Sequence, residues 1–429
     1  MLNNAFVTIW DKRVGAISWD STTGICSFQF DSEFLKLNWD VSPIMMPLSQ
    51  GNRIFNFKET QNSATFKGLP GLLADILPDR YGNTLINNWL SRQGRPVNSL
   101  NPVETLCFIG ERGMGALEFE PVVPKPNNSS TKIEIESLVD ISEQILSGRT
   151  DFSTNLSEEE EKALYDILKI GSSVGGARAK ALIAYNEKTG EVRSGQANAP
   201  KDFSQWLIKF DGVTDSQFGS SKGYGRVEMA YYNMAKGAGI DMMESRLLYE
   251  NNRAHFMTKR FDRTEGNEKL HVQTFCAMRH YDFNEVHLFS YEELFETMRE
   301  LGLSYPEAQE LFRRMVFNVL AKNCDDHTKN FAFLMDKSGK WRLSPAYDVC
   351  HAYRPGSDWV SQHALSINGK RKNFTRGDLL FVGRLMNIKN ANLIINEVAT
   401  ACSNWIDFAN EVQVDERLRD AISTTHLRL

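Results

Sequence analysis

The sequence predicts an α+β fold in two or more domains, and three observations support that prediction. The chain has 429 residues, beyond the roughly 250–300 at which a single core stops growing. Its N-terminal part mixes segments of alternating polarity with segments of helical spacing. Its last third is mainly helical, with apolar residues recurring every 3.6 positions. At 41% hydrophobic and 24% charged residues, the composition is that of a globular chain able to bury a core.

The elements follow in order. FVTIWDKRVGAISWD and GICSFQFD alternate apolar and polar residues around turn signals, as half-buried strands do. GLPGLLADILPDRYGNTLINNWLSRQG switches to helical spacing, interrupted at Pro78. PVVPKPNNSSTK, from Pro121 to Lys132, is rich in Pro, Asn and Ser and reads as a linker. It closes an N-terminal subdomain expected over residues 1–125.

A second region is expected over 126–262. Ser157 and Glu160 make a capping-box pattern in LSEEEEKALYDILKI. GSSVGGARAK is a glycine-bearing loop, followed by a strand (ALIAYN), a turn (EKTG) and a short strand (EVRS). In QWLIKFD, Trp206, Ile208 and Phe210 share one face, and Leu207 and Lys209 the other. A helix at about Arg226 to Lys236 and the strand-like SRLLYE and HFMTKRFD complete this region.

The third region, 263–429, is the helical one. Ser304 and Glu307 cap SYPEAQELFRRMVFNVLAKN, in which Ala308, Leu311, Phe312, Met315, Val316, Val319 and Leu320 trace one apolar stripe. That helix runs into NCDDHTKN (Asn323 to Asn330), and FAFLM and WRLSPAY then read as a hairpin turned by DKSG. The chain has no internal repeat and no low-complexity segment.

Several classes are disfavoured. A net charge of −5 gives no field for wrapping nucleic acid. The six cysteines form no CxxC pair, which excludes the common zinc spacings and does not resemble a disulfide framework. There is no secretory signal pattern and no apolar run of about 18 residues. A cytoplasmic protein with no membrane association is expected.

The polar loop NCDDHTKN admits three readings: a metal cluster, a catalytic loop or a solvated turn. Asp325, Asp326, His327 and Asp348 could ligate Mg²⁺ or Mn²⁺ in a metal-dependent hydrolase. Asp325 to Asn330, however, is D-x-x-x-x-N, the interval of a protein-kinase catalytic loop. There a carboxylate faces the attacking hydroxyl and an amide oxygen further along holds Mg²⁺ at the phosphates. Asp348, after the hairpin, stands where a second metal-binding Asp belongs.

Lys209 is the strand lysine such a site needs for the phosphates of ATP, with Glu228 in the following helix as its ion-pair partner. His327 either contacts phosphate or orders the loop. The glycine loop is no Walker A motif, because Ala177 stands where lysine is required. Its backbone N–H groups, with Arg178 and Lys180, could still fold over phosphates as a nest. Ser173 is its hydroxyl nearest to a bound nucleotide.

With these residues assembled, the chain resembles the HipA family of bacterial serine/threonine kinases, the toxins of HipA–HipB modules. The resemblance runs through ILPDRYGN, ETLCFIGERGMGALEFEP, SSVGGARAKALI, WLIKFD, KRFDR, NCDDHTKNFAFL and WRLSPAYDV, in the family's order. It implies a two-lobed, protein-kinase-like fold with a HipA-like N-terminal subdomain.

By position, the resemblance makes Asp325 the catalytic residue and Asn330 and Asp348 the Mg²⁺ ligands. His327 becomes a nucleotide contact and Lys209 an ATP-phosphate contact. Val174, Gly175, Gly176, Ala177, Arg178 and Lys180 fall on the P-loop-like motif, and Lys259, Arg260 and Phe261 on the hinge beside adenine. Ser173 falls on the serine whose autophosphorylation switches the kinase off. A phosphate of charge roughly −2 in that cradle would repel ATP.

The implied activity is Mg·ATP-dependent phosphorylation of a serine or threonine in a translation protein such as glutamyl-tRNA synthetase, which arrests growth. The implied partner is a HipB-like DNA-binding antitoxin dimer, with operator DNA contacted mainly through it. Two departures stand out. Lys259 occupies a hinge position where an acidic residue is expected, and Asp326 leaves open a register in which it, rather than Asp325, is the base. A catalytically degenerate fold acting as co-repressor with the antitoxin is the alternative outside enzymology.

Overall fold

A computed structural model describes residues 2–121, 132–146, 163, 166–168, 171, 178–194, 200–215 and 219–429. The interior of the Pro121–Lys132 linker, the Ser157/Glu160 cap and Ser173, Val174, Gly175, Gly176 and Ala177 lie outside them. The described chain divides into two compact units. One comprises Met1–Asp40, Met46–Gly225 and Ser245–Val272; the other comprises Val41–Met45, Arg226–Glu244 and Gln273–Leu429.

The first unit opens with strands β1 (Asn4–Ile9), β2 (Lys12–Asp20) and β3 (Ile25–Phe30), joined later by β4 (Leu117–Glu120) in the antiparallel order β3-β2-β1-β4. The alternation read from the sequence is the burial pattern: Ala5, Val7 and Ile9 point inward. Ile9 pairs with Lys12, so Trp10 and Asp11 form a two-residue turn, with φ of 48° and 61°. Two positive φ values match the right-handed twist of a hairpin.

The expected helical segment is broken around Pro78, as read, into Gly71–Ala74 and Arg80–Arg92. Asp79 caps the second helix, accepting the Gly82 N–H at 2.7 Å.

The unit's second sheet contains β5 (Lys180–Tyr185), β6 (Val192–Ser194) and β7 (Ser204–Lys209). After the short ladder of β8 (Thr214–Asp215) and β9 (Gly219–Ser220), it is completed by β10 (Ser245–Glu250) and β11 (Arg253–Lys259). Its order is β10-β11-β7-β5-β6. Trp206 and Ile208 are fully buried and Phe210 nearly so, while Leu207 and Lys209 are half-buried, the two faces that QWLIKFD predicts. Tyr81, Leu85 and Ile86 of the Arg80–Arg92 helix share a buried cluster with Ala181, Ile183, Trp206 and Ile208.

The second unit is built on the Tyr305–Leu320 helix. Its capping box is present, with Glu307 accepting from the Ser304 backbone N–H and hydroxyl, both at 2.7 Å. Leu311, Phe312, Met315, Val316, Val319 and Leu320 are buried, and Ala308 packs against them. Each such aliphatic or aromatic side chain contributes about 1.5–3 kcal/mol on burial. The helices Tyr224–Gly237, Tyr291–Glu300 and Ala391–Ser403 supply the other side of this core through Tyr231, Leu294 and Ile394, among others.

After the polar loop, β13 (Ala332–Met335) and β14 (Trp341–Leu343) form the expected hairpin, in a three-stranded sheet of order β12 (His271–Thr274), β13, β14. Among the described residues, no helix is long and apolar enough to cross a membrane.

Candidate functional site

The Tyr305–Leu320 helix ends because Lys322 adopts a left-handed conformation, φ 56°. The Tyr231 hydroxyl donates to the Ala321 carbonyl at 2.6 Å and fixes that end. The chain then runs beside the segment after the hairpin, with Cys324 N–H donating to the Ala352 carbonyl and Ala352 N–H to that of Lys322, both at 3.0 Å. The polar loop and the segment that follows the hairpin are thereby laid side by side.

The two neighbouring aspartates of this loop face opposite ways. Asp326 is 1% exposed and accepts from the Tyr291 hydroxyl at 2.9 Å, His363 Nδ1 at 2.8 Å and the Ala364 N–H at 2.8 Å. Behind Tyr291, Asn318 Nδ2 donates to its hydroxyl at 2.9 Å, and Asn323 Nδ2 donates to Asn318 Oδ1 at 3.0 Å. This buried chain bolts the loop to two helices. Burial alone would lower the His363 pKa, but Asp326 outweighs it and lifts the imidazole to about 10. The His363–Asp326 contact is therefore an internal ion pair.

Asp325, by contrast, keeps 38% of its side chain exposed. Its Oδ1 accepts the Trp359 indole N–H at 2.5 Å and lies 3.6 Å from His327 Nε2. Partial burial raises its pKa. His327 and the indole oppose that rise, and the charges of Asp348 and Asp326 add to it. A half-exposed carboxylate with a raised pKa is suited to accepting a proton from a hydroxyl, and Asp326, enclosed by donors, is not.

Asn330 donates its Nδ2 to the Asp325 carbonyl at 2.7 Å, which fixes the amide and leaves Oδ1 as an acceptor. Asp348 is exposed and holds a left-handed backbone, φ 52°, a conformation Asp tolerates better than most residues. Two hard oxygen donors fit a Mg²⁺ that takes its remaining ligands from water and phosphate. The four-ligand cluster of the hydrolase reading is not assembled, because Asp326 is turned into the core. His327 is half-buried; its Nδ1 accepts the Lys329 N–H at 3.2 Å, so it orders the loop.

The predicted phosphate-side residues lie in the first unit. Lys180 and Lys209 are register partners across β5 and β7, and Lys209 Nζ stands 5.9 Å from the Phe256 ring centroid. Lys180 is buried, with Nζ 3.1 Å from Asp79 Oδ2. Asp79, the cap of the Arg80–Arg92 helix, is a participant the sequence reading missed, although ILPDRYGN had drawn attention to its segment. Gly171 also rests on that helix: a Cβ there would lie 2.8 Å from Leu85 and 3.2 Å from Tyr81. One helix thus anchors Gly171 and Lys180, which flank residues 172–177 in the sequence.

Arg178 stacks over the Tyr224 ring at 4.2 Å. Lys259 Nζ is 5.4 Å from the Trp206 ring centroid and 3.5 Å from Glu187. Arg260 is buried and bonded to Asp262 at 2.7 and 2.8 Å, so its side chain is committed internally. Phe261 is half-buried. Glu228 is half-buried on the Tyr224–Gly237 helix and belongs to the second unit, whereas Lys209 belongs to the first.

Together, the α+β architecture and the polar loop bring one half-exposed carboxylate beside an oriented amide. Two family profiles match the chain: the HipA N-terminal domain over residues 5–120 and the HipA-like C-terminal domain over residues 172–426. The second alone spans more than half of it, and the chain belongs to the HipA family.

Among solved structures, one in the toxin–antitoxin complex of HipA, HipB and operator DNA from Shewanella oneidensis MR-1 matches with a TM-score of 0.66 at 16% identity. That match covers 98% of this chain and 94% of the other, and it establishes the shared fold. The Helicobacter pylori proinflammatory kinase CtkA matches at 16% identity with a TM-score of 0.33, over 52% of this chain and 90% of that one. No curated protein matches.

Proposed function

We propose that the protein is a Mg·ATP-dependent serine/threonine kinase and the toxin of a toxin–antitoxin pair. The observation that carries this reading is the opposed orientation of the two aspartates: Asp326 is bonded inward, while Asp325 is half-exposed beside the fixed amide of Asn330. A protein acceptor's hydroxyl donates its hydrogen bond to Asp325. As its oxygen bonds to the γ-phosphorus of ATP, the bridging P–O bond breaks, ADP leaves and the proton passes to Asp325. Asn330 and Asp348 would hold Mg²⁺, which neutralises charge on the phosphates when bound. Lys209 adds positive charge on the phosphate side.

Ser173 is the proposed autophosphorylation site, and a translation protein such as glutamyl-tRNA synthetase the proposed target. Family membership and the likeness to a structure solved with HipB and operator DNA support a HipB-like antitoxin as partner. The decisive experiment is labelled ATP with purified protein and cell lysate, followed by phosphosite mapping. Asp325→Ala is expected to abolish phosphate incorporation while leaving the fold intact. Full autophosphorylation by that variant overturns the assignment of the base, and nucleotide binding without transfer by the native protein favours a co-repressor.

A further inference from the structure

We infer that Trp359 is a positioning residue for the reaction, acting through Asp325; the inference rests on the kinase reading above. Trp359 comes from a turn far along the chain from the loop. Ser357 Oγ accepts the N–H groups of both Trp359 and Val360 at 3.2 Å, and the Arg354 N–H closes the turn on the Val360 carbonyl at 3.2 Å. From this turn the indole stands 5.8 Å from the His327 ring and 6.1 Å from the Phe283 ring, centroid to centroid. Phe283 in turn lies 5.3 Å from His327. The rings of Phe283 and His327 therefore hold the indole whose N–H meets the carboxylate.

The meeting is specific to one oxygen. Trp359 Nε1 donates to Oδ1 of Asp325 at 2.5 Å, and His327 Nε2 approaches the same oxygen at 3.6 Å. The other oxygen is left for the acceptor. The indole does not cap the site, since 38% of the Asp325 side chain remains accessible. A carboxylate held by its backbone alone rotates about its last torsion, which is broad. Tethering one oxygen to a ring that is itself fixed restricts that rotation and aims the second oxygen at the hydroxyl. Loss of such orientation costs on the order of 10- to 100-fold in rate.

Trp359→Phe keeps a ring against Phe283 and His327 and deletes only the donor. Its kcat for phosphate transfer, its KM for ATP and its Mg·ATP Kd are compared with those of the native protein, and the substitution is repeated in an Asp325→Asn background. The expected result is a kcat lower by about 10-fold or more, with KM and Kd for ATP unchanged within about twofold. In the Asp325→Asn background no further loss is expected, because a residue acting through Asp325 has nothing left to orient.

An unchanged kcat in Trp359→Phe overturns the inference. So does a loss of ATP affinity that matches the loss of rate, or an equal further loss in the Asp325→Asn background. A native protein that transfers no phosphate under any condition defeats the kinase reading, and the inference falls with it. A native protein that is active alongside a fully active Trp359→Phe defeats the inference alone.

Discussion

Asp326→Ala removes the acceptor of three donors at once: the Tyr291 hydroxyl at 2.9 Å, His363 Nδ1 at 2.8 Å and the Ala364 N–H at 2.8 Å. None of these groups can turn to water, because Tyr291 and Asp326 are buried and His363 is 1% exposed. The substitution also removes the charge that keeps His363 protonated and leaves the buried ring without its partner. Breaking one partner of such a pair costs about 3–5 kcal/mol, against a total stability of about 5–15 kcal/mol for an ordinary domain. The variant is expected to unfold at a clearly lower urea midpoint, followed by tryptophan fluorescence with the slope unchanged.

Asp325→Ala is the matched control. It removes a carboxylate that is 38% exposed, and its stability is expected to stay within about 1 kcal/mol of the native protein. A loss below about 1 kcal/mol for Asp326→Ala, or a larger loss for Asp325→Ala, would refute the assignment of one aspartate to structure and the other to chemistry.

Two further outcomes are expected. His363, raised to about 10 in the fold from its ordinary 6.5, contributes stability that is fully present below about pH 6.5 and lost as pH rises through 10. The difference is worth at most about 5 kcal/mol. His255, His351 and His426 are lowered to about 4 by burial, so stability also falls as pH drops from about 6.5 towards 4. Denaturant midpoints measured from pH 4 to 10 should peak near neutrality, and a flat profile contradicts both assignments. Asp79→Asn keeps a helix-capping side chain but removes the carboxylate 3.1 Å from the buried Lys180 ammonium, so it should cost about 3 kcal/mol or more. Asp79→Asn combined with Lys180→Met should recover part of that loss in the same denaturation assay.

Much of the architecture was legible because it follows local rules. Alternation in FVTIW and QWLIKF placed strands whose inward residues are the buried ones. The stripe from Ala308 to Leu320 with Ser304 and Glu307 gave the central helix with its cap. The D-x-x-x-x-N interval singled out Asp325 and Asn330, and the structure joins them through a 2.7 Å bond from the amide to the Asp325 carbonyl. Each of these signals lies within one element or one turn of chain, where spacing alone sets geometry.

The remainder depends on which distant segments pack together. Asp325 and Asp326 are identical in type and adjacent, so no local rule assigns one to solvent and the other to the core. Their separation comes from Tyr291 and His363, delivered by other parts of the fold. Trp359 reaches Asp325, and Asp79 reaches Lys180, across segments that no periodicity connects. The sequence by itself determined the elements, the family resemblance and the candidate loop. Only the tertiary structure decided which carboxylate faces outward, because burial and long-range hydrogen bonds belong to the packed chain and to no single stretch of it.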